Sequence, residues 1–104
     1  MATDKQIEQP YPMPPGNEDD FFWNWARWLP EGVGVRSYTV VPDEGLAVAE
    51  DSIDGLVVRA LISLDDAVQD GSITQAFCTI LTDQTPPRKH SRAISFVARK
   101  NVGA

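Results

Sequence analysis

The chain has one cysteine, Cys78, and one histidine, His90, among its 104 residues. A single thiol cannot close an internal disulfide, so the fold does not depend on an oxidising compartment. One histidine, with no CxxC or HxxxH pair, offers no metal-ligand spacing. No apolar run approaches transmembrane length, and the first residues lack the charged and then apolar pattern of a secretory leader. The expectation is synthesis in a reducing cytoplasm with no membrane association. Positive charge is the scarcer sign: nine Lys and Arg stand against fifteen Asp and Glu, a formal net charge of −6. That balance argues against bare nucleic acid, whose phosphates repel such a surface.

The residues of catalysis are equally sparse. Cys78 stands mid-strand between Ala76 and Ile80, an apolar setting in which a thiol is inert. His90 lies among Arg88, Lys89 and Arg92, in a stretch read as a loop with Pro86-Pro87. The acidic pairs Asp43-Glu44, Glu50-Asp51 and Asp65-Asp66 follow no EF-hand pattern and read as solvated turn carboxylates. Glu31-Gly32-Val33-Gly34 lacks the lysine of a P-loop and is a turn. No catalytic residue, cofactor or metal is expected, and the chain reads as a non-enzyme.

What the chain does have is a concentration of rings. Residues 21–32 hold all three tryptophans and two of the four phenylalanines. Large rings bury roughly 150 to 250 Å² each, so this stretch must supply core, a partner anchor, or both. The spacing predicts an extended start that closes in a tight or 3₁₀ turn over residues 26–29, before Pro30-Glu31-Gly32 reverses the chain. Trp25 is expected to face inward.

Ahead of it, residues 1–20 carry Pro10, Pro12, Pro14 and Pro15 and a net charge of −4, from Asp4, Glu8, Glu18, Asp19 and Asp20 against Lys5. Each proline fixes its own φ and pushes its predecessor toward extended geometry. This piece reads as an extended Pro-rich acidic arm outside the core. It is either a free tail or docked on a neighbouring subunit through Tyr11 and Met13. The other end is basic, with Arg88, Lys89, Arg92, Arg99 and Lys100 after the last acid, Asp83. Opposed charge at the two ends suits contacts between copies or with other subunits, or else marks two solvated surfaces.

Downstream, residues 33–41, 46–49, 56–64, 73–82 and 92–99 read as strands, separated by turn signals at nearly every tenth residue. Residues 56–64 are apolar on both faces, which predicts cover on both sides. Residues 64–69 hold at most one turn of helix. The pattern is that of an all-β sandwich over residues 21–104.

Trp23-Asn24-Trp25-Ala26-Arg27-Trp28-Leu29-Pro30-Glu31-Gly32, followed by Tyr38-Thr39-Val40-Val41-Pro42 and Gly45-Leu46, resembles the opening of the phage fibre-tail adaptor proteins, small virion proteins of tailed bacteriophages. The similarity extends over roughly residues 21–100, through a Gly-preceded strand, here residues 71–82, and a final strand at residues 92–99. Val33 stands where that family carries aspartate, and the Pro86-Pro87 loop departs from its usual Gly-Arg turn. The resemblance implies an immunoglobulin-like antiparallel β-sandwich with no catalysis, a virion building block located where tail or neck meets fibres. Its partners would be other virion proteins and copies of itself. A capsid decoration protein, or a glycan-binding module using the tryptophans, is the alternative. The residues expected to touch a partner are Tyr11, Met13, Phe21, Phe22 and Trp28.

Overall fold

Alternation of inward and outward side chains governs the long strands. In a computed structural model that describes residues 10–100, seven strands form: β1 (Tyr11–Met13), β2 (Glu18–Asn24), β3 (Val35–Pro42), β4 (Leu46–Asp54), β5 (Val57–Leu64), β6 (Ile73–Thr82) and β7 (Lys89–Ala98). They make two sheets, one ordered β1-β7-β6-β3 and one ordered β2-β5-β4. Every pairing is antiparallel except that of β1 with β7. The described residues contain no α-helix, and the chain is an all-β sandwich.

The core lies between the sheets. Val58, Ala60, Ile62 and Leu64 of β5 face Ala76, Cys78 and Ile80 of β6, all of them buried. Phe96 and Ala98 of β7 close one side together with Trp23 and Trp25. Thr82 is the one buried polar residue among those described. Its hydroxyl accepts the Arg88 N–H at 2.8 Å and donates to Gln84 Oε1 at 3.1 Å, so it is satisfied. The segment expected to turn does so as a 3₁₀ turn, Trp25–Arg27, capped by the Asn24 side chain, which accepts the Ala26 N–H.

The boundary drawn at residue 20 falls inside β2, and the piece read as an arm is part of the sandwich from Tyr11 onward. Residues 1–9 of that arm lie outside the described residues. Met13 is 1% exposed and sits in the core, and Phe21 is buried too, so neither is free to meet a partner. The physical reason is the parallel pairing of β1. Arg99 N–H donates to the Met13 carbonyl at 3.1 Å, which turns the backbone groups of Tyr11 and Met13 toward β7. By strand alternation Pro10 and Pro12 then face the open edge, where a missing N–H costs nothing.

Three other expectations shift. β4 runs on through Glu50, Asp51 and Ser52, which had read as a turn, with a bulge between Val48 and Glu50. It is an edge strand, where polar side chains meet water, and Arg59 of β5 pairs with both Glu50 and Asp20 at its flanks. β7 begins at Lys89, so His90 belongs to a strand and not to the preceding loop. The outer face of β5 is half-buried between its two neighbours, with Leu61 set between Asp20 and Glu50.

The free edges of β3 and β4 are joined by one polar bond. The Tyr38 hydroxyl donates to Asp51 Oδ1 at 2.7 Å. That bond favours the neutral phenol, and burial and the Asp51 charge act in the same direction, so the Tyr38 pKa is raised above its ordinary 10.0. A raised folded-state value means the bond contributes fully below the unfolded pKa and is lost as pH rises through the folded one. In a Tyr11→Phe background, ultraviolet absorbance titration is expected to show Tyr38 ionising above free tyrosine, with Asp51→Asn returning most of the shift. A native midpoint at or below about 10 contradicts the bond.

Candidate functional site

The aromatic segment lies at the end of β2, and its rings divide between core and surface. Trp25 is 0% exposed and Trp23 2%, while Phe22, one residue out of phase, is 58% exposed. Trp28, half-buried, packs edge-on against Trp25 with centroids 5.5 Å apart. The Arg92 guanidinium lies over the Trp28 ring at 5.0 Å, a cation–π contact made across the sandwich. Beneath it the Trp23 indole N–H donates to the Arg92 carbonyl at 3.1 Å. A second aromatic set stands beside these: Phe21 meets Phe96 at 4.9 Å and Tyr11 at 5.1 Å, both edge to face.

Between the two sets runs an open groove of about 420 Å³. Pro10 and Tyr11, Phe22 and Trp28, and Ala93 and Ile94 of β7 are among the residues that line it. Arg27 and Arg92 border it, and none of its described lining residues is acidic. β1 covers only Phe96, Val97 and Ala98 of β7, so residues 89–95 have β6 on one side and no strand among the described residues on the other. An apolar trough beside an unpaired strand edge can receive an extended segment, with main-chain bonds for affinity and the rings for specificity.

Of the five residues expected to touch a partner, Tyr11, Phe22 and Trp28 converge on this groove, whereas Met13 and Phe21 are core. Arg92, Ala93 and Ile94 were missed. They lie about seventy positions from the tryptophans in sequence, and only the sheet order brings them together.

Elsewhere the chemistry is quiet. Burial pushes the Cys78 thiol up, with the Trp25 indole acting in the other direction. No group of three or more His, Cys, Asp or Glu among the described residues could hold a metal ion. No helix there is long and apolar enough to cross a membrane. No family model matches the chain, and no curated protein is significantly similar to it.

Proposed function

We propose that this chain is a non-catalytic structural protein of a tailed bacteriophage, a multi-copy adaptor joining tail or neck to fibres through its aromatic groove. The observation that carries the reading is that Tyr11, Phe22 and Trp28 line one groove beside a length of β7 that no described strand pairs on that side. A surface of this kind suits a protein segment, since it offers aromatic anchors, arginine and backbone groups unpaired among the described residues together. The sequence resemblance supplies the phage context, and the strand order is compatible with the immunoglobulin-like form it implies. β2-β5-β4 and β7-β6-β3 match the B-E-D and G-F-C sets of that fold, with β1 moved to the edge of the second set. The glycan reading has less support, because Trp23 and Trp25 are buried and Trp28 is covered by Arg92.

The test is co-expression with the tail, neck and fibre proteins of the phage, followed by affinity capture. The wild-type chain is expected to retain at least one of them. Phe22→Asp, at an exposed position that leaves the fold intact, is expected to weaken that capture by about thirtyfold, the loss of one anchor worth about 2 kcal/mol. Failure to retain any virion component by a folded chain sinks the proposal.

A further inference from the structure

The two sheets differ sharply in charge. The strands of the β1-β7-β6-β3 sheet contain no Asp or Glu, whereas those of the β2-β5-β4 sheet carry Glu18, Asp19, Asp20, Glu50, Asp51 and Asp54 against Arg59 alone. We propose that the outer face of the first sheet, centred on Phe77, packs on the same face of a second copy of this chain about a two-fold axis.

Three observations carry this. The first is what the face presents. Ala76, Cys78 and Ile80 of β6 are buried in the core, so alternation turns Ile73, Gln75, Phe77, Thr79 and Leu81 to the other side. The register sets Val41 of β3 and Ala93 of β7 on either side of Phe77, which makes an apolar row across three strands. Val41 is 54% exposed and Ile73 64%, the latter more than any other large hydrophobic among the described residues.

The second is symmetry, which names the occupant. Along β6 the outward residues run apolar, polar, apolar, polar, apolar, a pattern symmetric about Phe77. β7 keeps the same centre, with Ser91 and Ser95 flanking Ala93. A two-fold axis lying across the strands at this row sets Ile73 of one copy over Leu81 of the other, Gln75 over Thr79 and Phe77 over Phe77. Apolar groups then meet apolar groups and polar meet polar, as an isologous contact requires. A chain of net charge −6 repels its copy wherever it turns carboxylates toward it, and the strands of this face hold none.

The third is that the polar groups of the face are already paired within it. The Gln75 amide donates to Ser95 Oγ at 2.9 Å, and the Thr79 and Ser91 hydroxyls share a bond of 2.9 Å. Groups satisfied in this way lose little when water leaves. From Ile73 to Leu81 the strand runs about 27 Å, and three strands are about 14 Å across, a flat outline of about 400 Å² per copy. Two outlines give about 800 Å² before side-chain relief is added, the small end of specific contacts, so the dimer is weak and reversible.

The inference shares with the reading above only that copies of the chain meet, and of the groove lining only Ala93 lies in the contact. Sedimentation equilibrium of the full chain, from micromolar to millimolar concentration, is the test. The wild type is expected to form a dimer. Val41→Asp and Val41→Lys, each bringing like charges together across the axis, are expected to weaken it at least about tenfold, with circular dichroism unchanged. An equimolar mixture of the two is expected to associate again as a heterodimer. Leu81→Asp, facing Ile73 of the other copy, is expected to weaken the dimer as well. Phe22→Asp, the groove variant, is expected to dimerise as the wild type does, so failure of the groove and failure of this contact are told apart. A monomer over the whole range, or a dimer that Val41→Asp and Leu81→Asp leave unchanged, overturns the proposal. So does a mixture of the two Val41 variants that stays monomeric.

Discussion

Trp25→Ala is expected to cost about 3 to 5 kcal/mol, a large share of the 5 to 15 kcal/mol by which a domain of this size is usually stable. Trp25 is 0% exposed and fills the end of the sandwich under Trp28. Its backbone anchors the turn: Trp25 N–H donates to the Leu56 carbonyl at 2.8 Å, and its own carbonyl accepts from Trp28 and Leu29. Alanine keeps those bonds and removes the ring, so the loss is of packing, and Trp28 loses the surface it leans on. The indole N–H makes no well-formed hydrogen bond and has only the Cys78 sulfur, a weak acceptor, to act on. A donor buried without a good acceptor costs about 1 to 3 kcal/mol. Trp25→Phe, which keeps a ring and drops that donor, is therefore expected to retain most of the stability that Trp25→Ala loses. Urea unfolding followed by far-ultraviolet circular dichroism measures both. A Trp25→Ala protein within about 1 kcal/mol of wild type shows that the ring is not core.

The same segment shows how much of the molecule is legible in the amino-acid order. β6 spans residues 73–82, the bounds its alternation predicts, because buried Ala76, Cys78 and Ile80 alternate with less buried Phe77 and Leu81 between clear turn signals. For β4 the sequence predicts an end at Ala49, because Glu50-Asp51-Ser52 has the composition of a turn. What keeps it extended is pairing with β5, the Arg59 ion pairs and the Tyr38 bond, none of which is local. The prolines near the start misled for a similar reason. Proline opposes a central strand, yet it suits an edge strand when its missing N–H faces outward, and position in the sheet is not written in the neighbouring residues. Half of the candidate groove was visible as rings close together in sequence. Its other half, Arg92 to Ile94, is contributed by a strand whose place beside β2 follows only from the packing of the two sheets.

Deletion of residues 1–20 is expected to abolish cooperative unfolding, whereas an independent arm could be removed without loss. The deletion takes Met13, which is 1% exposed, out of the core, and loss of such a side chain alone costs about 2 to 5 kcal/mol. It removes all of β1 and three of the seven paired positions of β2, those of Glu18, Asp19 and Asp20. With them go the bonds from Gly16 N–H to the Leu64 carbonyl and from Leu64 N–H to the Asn17 carbonyl, at 2.7 and 3.0 Å. Tyr11 no longer covers Phe21 and Phe96, whose rings then meet water. The edge of β7 is left bare along its whole length, which invites association between copies. These losses fall on one side of one small core, so they act together on a stability of about the same size. Thermal unfolding and the dispersion of NMR amide signals read the outcome. A cooperative melt close to that of the full chain means that the sandwich begins at residue 21 after all. Met13→Asp separates side chain from strand within the intact chain: it leaves β1 its backbone and places an unpaired carboxylate in the core. That substitution is expected to destabilise the protein by at least as much as removing the Met13 side chain, since a buried charge without a partner adds its own desolvation cost to the lost packing.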